Sequence, residues 1–337
     1  MKKRLIIYGP TATGKTALAL QLARKFQGEL ISADSRQVYQ NLDITTGKAS
    51  FKSKVEKHKG FWIVDGVKIH GFDLVEPPRY EPDSSPDGSL REPGSEQGIF
   101  SVSDFLKFAS DTMIQIIVSK KLPIVVGGTG FYIKALLDGI GSVGIPSDLT
   151  LRRELEKLSI DHLYQKLEKI DPKRAKSMNE SDRQNPRRLI RAIEIARASY
   201  LTPGVSGVAS KRTPGVSLDG EYQIIGLTAP NNYLYSRADK WLEERLEHGM
   251  IEEVQTLLEK RVSPQWLDDL GLECRWISRY LSGKISQREA INRLRGNVHS
   301  FIRRQKTWFK KFPKIRLFDI SKPNWQQELK KLVSHPV

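Results

Sequence analysis

The chain carries, near its start, the glycine-rich segment Gly9-Pro10-Thr11-Ala12-Thr13-Gly14-Lys15-Thr16. An apolar run, residues 5–8, precedes it, and residues 16–26 follow with apolar side chains at helical spacing. Two glycines spaced before a Lys and a Thr, between a strand and a helix, form the phosphate-loop pattern. We predict that the loop N–H groups and Lys15 bind a diphosphate, and that the Thr16 hydroxyl holds Mg²⁺.

Short apolar segments alternate with helical patterns along the rest of the chain. Residues 29–33, 122–126 and 222–227 read as buried strands, and residues 235–260 as one long helix. This alternation predicts an α/β fold, with a phosphate-loop-type parallel sheet flanked by helices. Ligands bind such sheets beyond the carboxyl ends of the strands. The phosphate loop and Asp34 are expected to meet at that edge.

The chain length suits two domains, at roughly 100–200 residues per domain. Residues 141–204 are rich in amphipathic helical patterns, and we predict an inserted, mostly helical domain there. Residues 1–140 and 205–337 then form the core domain. Two segments rich in Pro, Gly and Ser, residues 77–98 and 202–220, read as a surface loop and a linker.

The charge is strongly positive and unevenly distributed. Lys and Arg number 55 against 39 Asp and Glu, a net charge of +16, of which residues 1–140 carry +4 and residues 141–337 carry +12. Between residues 284 and 316, eleven basic side chains accompany one acid, Glu289. Solvated helix faces normally mix the two signs, so this excess favours a polyanionic partner such as nucleic acid.

The composition excludes several classes of protein. Apolar residues make up 39% of the chain and six Trp are present, which excludes an intrinsically disordered protein. No apolar run approaches the ~20 residues that span a bilayer. Cys274 is the only cysteine, so neither an intrachain disulfide nor a cysteine-based zinc site can form. We expect a cytoplasmic monomer without a membrane partner.

Two further motifs follow predicted strands. Asp34 follows the strand at residues 29–33, and it is either a helix cap or a base or Mg²⁺ ligand beside the phosphate loop. The strand at residues 122–126 ends in Gly127-Gly128-Thr129-Gly130. This turn is either a close-packing turn or a second wall of the diphosphate pocket. It lacks the Mg²⁺-binding acid that nucleotide-hydrolysing phosphate-loop proteins usually carry there.

Together these motifs resemble the tRNA dimethylallyltransferase family. The resemblance covers nearly the whole chain, in order, and rests on residues 9–16, 34–39, 127–137, 185–194, 225–227, 235–237 and 304–309. It implies transfer of a five-carbon group from dimethylallyl diphosphate to N6 of the adenosine just 3′ of a tRNA anticodon. Diphosphate is then the leaving group, which agrees with the missing second Mg²⁺-binding acid.

The resemblance also implies that the inserted helical domain binds tRNA, and that Asp34, Thr129 and Arg152 are catalytic residues. Asp34 matches the general base, while Thr129 and Arg152 match positions that hold the diphosphate or line the tRNA channel. Lys15 matches the diphosphate clamp, and Thr16 the Mg²⁺ ligand. The segments that would contact the flipped-out base and the anticodon stem-loop supply Asp34, Ser35, Arg36, Gln37, Arg187, Arg188, Leu189, Ile190 and Arg191.

The chain departs from the family pattern at two places. Glu273-Cys274-Arg275 stands where the family commonly has Gly-Tyr before a basic residue, and Thr45-Thr46-Gly47-Lys48 replaces a Gly-Thr-Ala-Lys run. Two alternative functions are a small-molecule kinase of the phosphate-loop class and a nucleic-acid-binding ATPase without covalent chemistry. The kinase does not explain the basic second half, and the ATPase does not explain Asp34 or Thr129.

Overall fold

The structure, a computed structural model, describes residues 4–79, 98–139, 145, 147–201, 222–312 and 314–333. Side chains at position 149 and at positions 199–201 are not described. Most of the predicted surface loop, residues 77–98, and all of the predicted linker, residues 202–220, lie outside the described ranges.

The chain divides into two compact units. One consists of Met1–Leu137 and Leu218–Val337, and the other of Asp138–Ser217. The domain boundaries predicted from sequence, at residues 140–141 and 204–205, lie outside the described residues. Each unit has its own cluster of buried apolar side chains.

A single sheet forms the centre of the first unit. In the described residues its strands are β1 (Arg4–Tyr8), β2 (Gly28–Ser32), β3 (Val55–His58), β4 (Phe61–Val64), β5 (Val67–His70), β6 (Leu122–Gly127), β7 (Tyr222–Thr228) and β8 (Ile315–Asp319). The strand order is β3-β4-β5-β2-β6-β1-β7-β8. The predicted α/β fold is confirmed, since all neighbours from β5 to β8 pair in parallel. The antiparallel strands β3 and β4 at one edge were not predicted.

The register of the central strands places the C-terminal ends of β1, β2 and β6 side by side, and the sequence motifs follow these ends. Every residue of β1 is buried, as expected of a strand covered on both faces. Tyr8 at the end of β1 lies opposite Gly127 on one side and Gly226 on the other. Ser32 at the end of β2 lies opposite Val126. The segments that leave β1, β2 and β6 therefore emerge at one edge of the sheet.

Helices flank the sheet in the first unit. They are α1 (Lys15–Phe26), α2 (Val102–Val118), α3 (Gly130–Asp138), α9 (Asn231–Glu247), α10 (Met250–Glu259), α11 (Pro264–Leu270), α12 (Leu272–Leu281), α13 (Gln287–Thr307), a 3₁₀ turn (Trp308–Lys311) and α14 (Trp325–Val333). The single helix predicted over residues 235–260 is wrong, because Gly249, at φ +94°, separates α9 from α10. Within the described ranges, no helix is both long and apolar enough to span a bilayer.

The second unit is helical in its described part. Its helices are α4 (Leu149–Leu155), α5 (Ile160–Ile170), α6 (Pro172–Ser177), α7 (Glu180–Arg183) and α8 (Pro186–Leu201). Asp148 caps α4 and Ser159 caps α5, each side chain accepting a backbone N–H three residues later. Leu155, Leu163 and Leu167 are fully buried in the shared core.

Candidate active site

The phosphate loop, residues 9–16, turns sharply between β1 and α1. Thr13 donates its backbone N–H and its hydroxyl to the Pro10 carbonyl, at 3.4 and 2.7 Å. Ala12 and Gly14 both adopt left-handed conformations, with φ of +67° and +76°. Helix α1 begins at Lys15, and no side chain caps it. Its first N–H groups and its positive dipole end are therefore left for an anionic ligand.

Gln305 in α13 holds the phosphate loop from the other side. Its side-chain oxygen accepts the Thr11 N–H at 3.0 Å, and its side-chain nitrogen donates to the Gly128 carbonyl at 3.0 Å. The Tyr8 hydroxyl donates to the Gln305 carbonyl at 2.5 Å. Gln305 is only 3% exposed. This buried amide therefore joins the phosphate loop to the glycine-rich turn after β6, a contact that the sequence analysis missed.

The glycines of the turn after β6 are required for close packing. A Cβ on Gly127 would collide with the Ala33 carbonyl, and one on Gly128 would collide with the Gln305 side chain. Both residues therefore serve close packing, and Gly127 also lines the cavity described below, so its contact with a diphosphate stays a prediction. Thr129 uses its hydroxyl to accept the Ser35 N–H at 3.1 Å. Thr129 thus orders the Asp34 segment, and its contact with a diphosphate stays a prediction.

Asp34 lies just beyond β2, in a turn rather than at a helix end. Its Oδ1 accepts the Arg36 backbone N–H at 3.1 Å, the pattern of an Asx turn. The helix-cap interpretation is therefore wrong. Gln37, from the same turn, donates to the Thr46 and Gly47 carbonyls, both at 3.2 Å. These bonds fix the segment that presents the Asp34 carboxylate.

One cavity of about 590 Å³ brings together most of the predicted site residues of the first unit. It is lined by Thr11, Ala12, Gly14, Lys15, Thr16, Asp34, Arg36 and Gln37, among others. Burial lowers the pKa of Lys15, Asp34 opposes this shift, and Arg36 adds to it. The arrangement can therefore hold an anion against Lys15 with a carboxylate beside it.

The remaining predicted residues of the loop support this cavity rather than line it. A Cβ on Gly9 would lie 2.8 Å from the Thr13 hydroxyl and 3.0 Å from the Leu227 carbonyl. Gly9 therefore lets the loop pass close to β7. The Arg237 guanidinium in α9 donates to the Ala12 carbonyl at 2.8 Å. From the sequence, Arg237 is known only as part of segment 235–237, one of the segments that resemble the family.

Arg152, predicted as catalytic, is bound to a carboxylate within the second unit. Its guanidinium donates to both oxygens of Glu194, at 2.7 and 2.9 Å. Arg191 donates to the same carboxylate at 3.0 Å and to the Ile145 carbonyl at 2.9 Å. Both arginines therefore help to hold α4, α8 and the preceding segment together. A direct role of Arg152 in chemistry stays a prediction.

Two of the predicted tRNA-binding residues on α8 are core residues instead. Leu189 and Ile190 are 0% and 4% exposed, and both belong to the apolar cluster of the second unit. Their side chains cannot reach RNA, so this part of the prediction is wrong. Arg187 and Arg188 are exposed on the same helix, and Arg188 forms an ion pair with Asp182.

The pairing of Glu194 predicts a pH-dependent loss of stability. Burial alone raises the pKa of Glu194, but hydrogen bonds from Arg152 and Arg191 outweigh it and hold the pKa below its ordinary value. A depressed pKa in the folded state gives stability above the unfolded-state pKa, and that stability is lost as the pH falls through the folded value. We expect Glu194→Gln to lower the free energy of unfolding by about 1–3 kcal/mol at neutral pH.

Denaturant unfolding at several pH values checks this expectation. The difference from the wild type should shrink below about pH 4, where the unfolded-state carboxyl is protonated. Glu168→Gln, an exposed position on α5, is the matched control and should change stability little. An equal loss at every pH would contradict the role of the charged carboxylate.

Comparison with known families was made on the sequence. A family model described as IPP transferase matches residues 94–312, and one described as isopentenyl transferase matches residues 2–72. A tRNA dimethylallyltransferase of Pelotomaculum thermopropionicum is 34% identical, over 94% of the chain and 90% of that relative. A tRNA dimethylallyltransferase 1 of Geotalea daltonii is 35% identical, over 90% of the chain and 85% of that relative.

Solved structures with a similar fold were found as well. The full-length tRNA isopentenylpyrophosphate transferase from Bacillus halodurans is 30% identical, with a TM-score of 0.63, over 100% of the chain and 97% of that protein. A eukaryotic dimethylallyltransferase acting on tRNA has a TM-score of 0.72 at 21% identity, over 99% of the chain and 79% of that protein. At that identity the second likeness concerns the fold alone.

Proposed function

Since the chain belongs to the tRNA dimethylallyltransferase family, we propose that it transfers a dimethylallyl group from dimethylallyl diphosphate to N6 of the adenosine directly 3′ of the anticodon. The observation that carries this proposal is the cavity in which Lys15, Thr16 and Asp34 lie together. Family membership favours prenyl transfer over the kinase and over the non-catalytic ATPase.

The proposed reaction assigns a separate task to each group. The adenosine N6 attacks C1 of the donor, the bond from C1 to oxygen breaks, and the electron pair leaves with the diphosphate. Asp34 accepts the proton that N6 releases. Lys15 and the N–H groups at the start of α1 stabilise the charge on the departing diphosphate. An RNA base must leave its stack to reach such a site, as in other base-modifying enzymes.

The oxygen groups in the cavity also fit a magnesium ion. Mg²⁺ prefers oxygen ligands and is commonly bound by one or two protein groups together with substrate phosphates and water. The Thr16 hydroxyl is the protein group that would hold it, and the diphosphate and water would supply the other oxygen ligands. When bound, the ion would neutralise charge on the diphosphate oxygens.

A mass-spectrometric assay tests the proposed function. The protein is incubated with an unmodified tRNA transcript, Mg²⁺ and either dimethylallyl diphosphate or ATP, and the nucleosides are then separated and weighed. We expect one adenosine to gain the mass of a prenyl group with the first donor. A transcript with guanosine 3′ of the anticodon should gain none. Phosphate release from ATP without any prenyl gain would contradict the proposal.

Basic residues at the end of α13 and in the 3₁₀ turn after it are candidates for contacts with the tRNA backbone. Arg303, Arg304 and Lys310 are exposed. Lys306 is not grouped with them, because its ammonium donates to the Ala229 carbonyl and the Asn231 side chain at 2.9 and 2.8 Å. We expect exchange of the three exposed residues for Gln to flatten the salt dependence of tRNA affinity by roughly one unit of slope per lost phosphate contact.

The measurement is the tRNA dissociation constant at four salt concentrations. Three exposed lysines of the antiparallel edge, Lys52, Lys54 and Lys59, provide the control, and their exchange for Gln should leave the slope unchanged. If the α13 variant keeps the wild-type slope, the RNA contacts another surface.

A further inference from the structure

Glu273 is a buried carboxylate that the proposed reaction does not use. It lies in the first turn of α12 and is 2% exposed. It forms ion pairs with Arg36 at 2.6 Å and with Arg245 at 2.9 Å. In the sequence, this position stands out only as a departure from the family pattern.

Arg245 is the second arginine that forms an ion pair with Glu273. Its side chain is 1% exposed, and its guanidinium carbon lies 3.6 Å from the centre of the Trp241 ring. It also donates to the Thr45 carbonyl at 2.6 Å. The two departures from the family pattern, at residues 45–48 and 273–275, therefore meet at one buried side chain. A buried ion triad is not a strong source of stability, because desolvation offsets much of the attraction.

Arg36 connects this triad to the cavity. Its backbone N–H donates to Asp34, and Arg36 is one of the residues that line the cavity together with Lys15. One terminal nitrogen, Nη1, donates to Glu273. In the described part of the chain, no protein oxygen accepts a hydrogen bond from Arg36 Nε or Nη2. A guanidinium with N–H groups to spare beside a lysine is suited to binding an anion.

We propose that Arg36 is a second cationic ligand of the diphosphate, and that Glu273 is the positioning residue that holds its guanidinium toward the cavity. This inference rests on the proposed function for the identity of the anion. It assigns Arg36 to binding of the prenyl donor, dimethylallyl diphosphate, whereas the resemblance implies that Arg36 contacts tRNA. Arg245 keeps Glu273 ionised and fixed between the two guanidinium groups.

Titration calorimetry with inorganic diphosphate and Mg²⁺ tests the role of Arg36. We expect Arg36→Gln to weaken diphosphate binding by about tenfold or more, the loss of a charge-assisted contact. Binding of tRNA in the absence of donor should change by less than about twofold. Arg279→Gln removes an arginine of α12 that forms an ion pair with Asp268 of α11, and should keep the wild-type affinity for diphosphate. An unchanged affinity in Arg36→Gln overturns the proposal.

Whether Glu273→Gln weakens or strengthens diphosphate binding tests the role of Glu273. If Glu273 acted only through its charge, Glu273→Gln would make the cavity more positive and strengthen diphosphate binding. A positioning role predicts weaker binding, a higher KM for the prenyl donor and an unchanged KM for tRNA. Since removing one partner of a buried ion pair destabilises proteins, the same measurement is made on the paired variant Glu273→Gln/Arg245→Met.

A double-mutant cycle completes the test. In the Arg36→Gln background, Glu273→Gln should weaken diphosphate binding no further, because the two residues act through one guanidinium. Additive losses or stronger binding overturn the positioning role. Arg36-dependent diphosphate binding without prenyl transfer would leave this inference standing and reject the proposed function. Prenyl transfer by the wild type, together with a wild-type diphosphate affinity in Arg36→Gln, would support the proposed function and overturn this inference.

Discussion

Asp34→Asn is expected to lower kcat for prenyl transfer by about 10²–10⁴-fold, the usual contribution of a general base. The Asn side chain is almost the same shape and can still accept the Arg36 N–H that Asp34 now binds at 3.1 Å. The turn that carries position 34 should therefore persist. What disappears is the ability to accept a proton from the adenosine N6. Single-turnover rates with saturating tRNA and dimethylallyl diphosphate measure this loss directly.

The control separates chemistry from structure. The tRNA dissociation constant of Asp34→Asn should stay within about twofold of the wild type, since the loss lies in the chemical step. Asp111→Asn makes the same change at an exposed position of α2 and should leave kcat unaltered. Parallel losses of rate and tRNA affinity would mean that Asp34 orders residues 34–39 instead of moving a proton.

Lys15→Met is expected to reduce kcat/KM for dimethylallyl diphosphate by about 10²–10³-fold, the effect of removing one donor from a site where charge develops. Lys15 is the first residue of α1, so its ammonium and the helix N-terminus act on the same anion. Its pKa is lowered by burial, with Asp34 opposing the shift and Arg36 adding to it. A bound diphosphate would reverse that shift by supplying negative charge.

Calorimetry with inorganic diphosphate and steady-state kinetics both measure this effect. Lys25→Met removes an exposed lysine from the last turn of the same helix and should match the wild type. An unaltered diphosphate affinity in Lys15→Met would contradict the assignment of the phosphate loop to the donor. If Lys15→Met lost affinity for tRNA alone, that result would contradict the assignment as well.

Local patterns in the sequence were enough for much of the fold. The apolar run at residues 5–8 and the phosphate loop after it predicted β1 and α1, because strand and helix periodicity are properties of consecutive residues. The same reasoning placed Asp34 and Gly127 at one edge of the sheet. It failed at Gly249, where one glycine ends a helix inside an otherwise continuous apolar pattern.

Family resemblance was less reliable for single side chains. Leu189 and Ile190 belong to a segment implied to contact tRNA, yet they face the core of the second unit. On an amphipathic helix, neighbouring residues point in different directions, so a segment cannot have one role throughout. Arg187 and Arg188 lie on the exposed side of α8, and their contact with tRNA stays a prediction.

The sequence by itself determined the α/β class, the phosphate loop and the family, since each depends on patterns that lie within short segments of the chain. The tertiary structure alone decided which side chains support that loop. Gln305 reaches Thr11 across 294 residues, and Glu273 reaches Arg36 across 237. Such partners are buried polar groups that must find hydrogen bonds within the folded chain. Their identity depends on how distant helices dock, which periodicity does not encode.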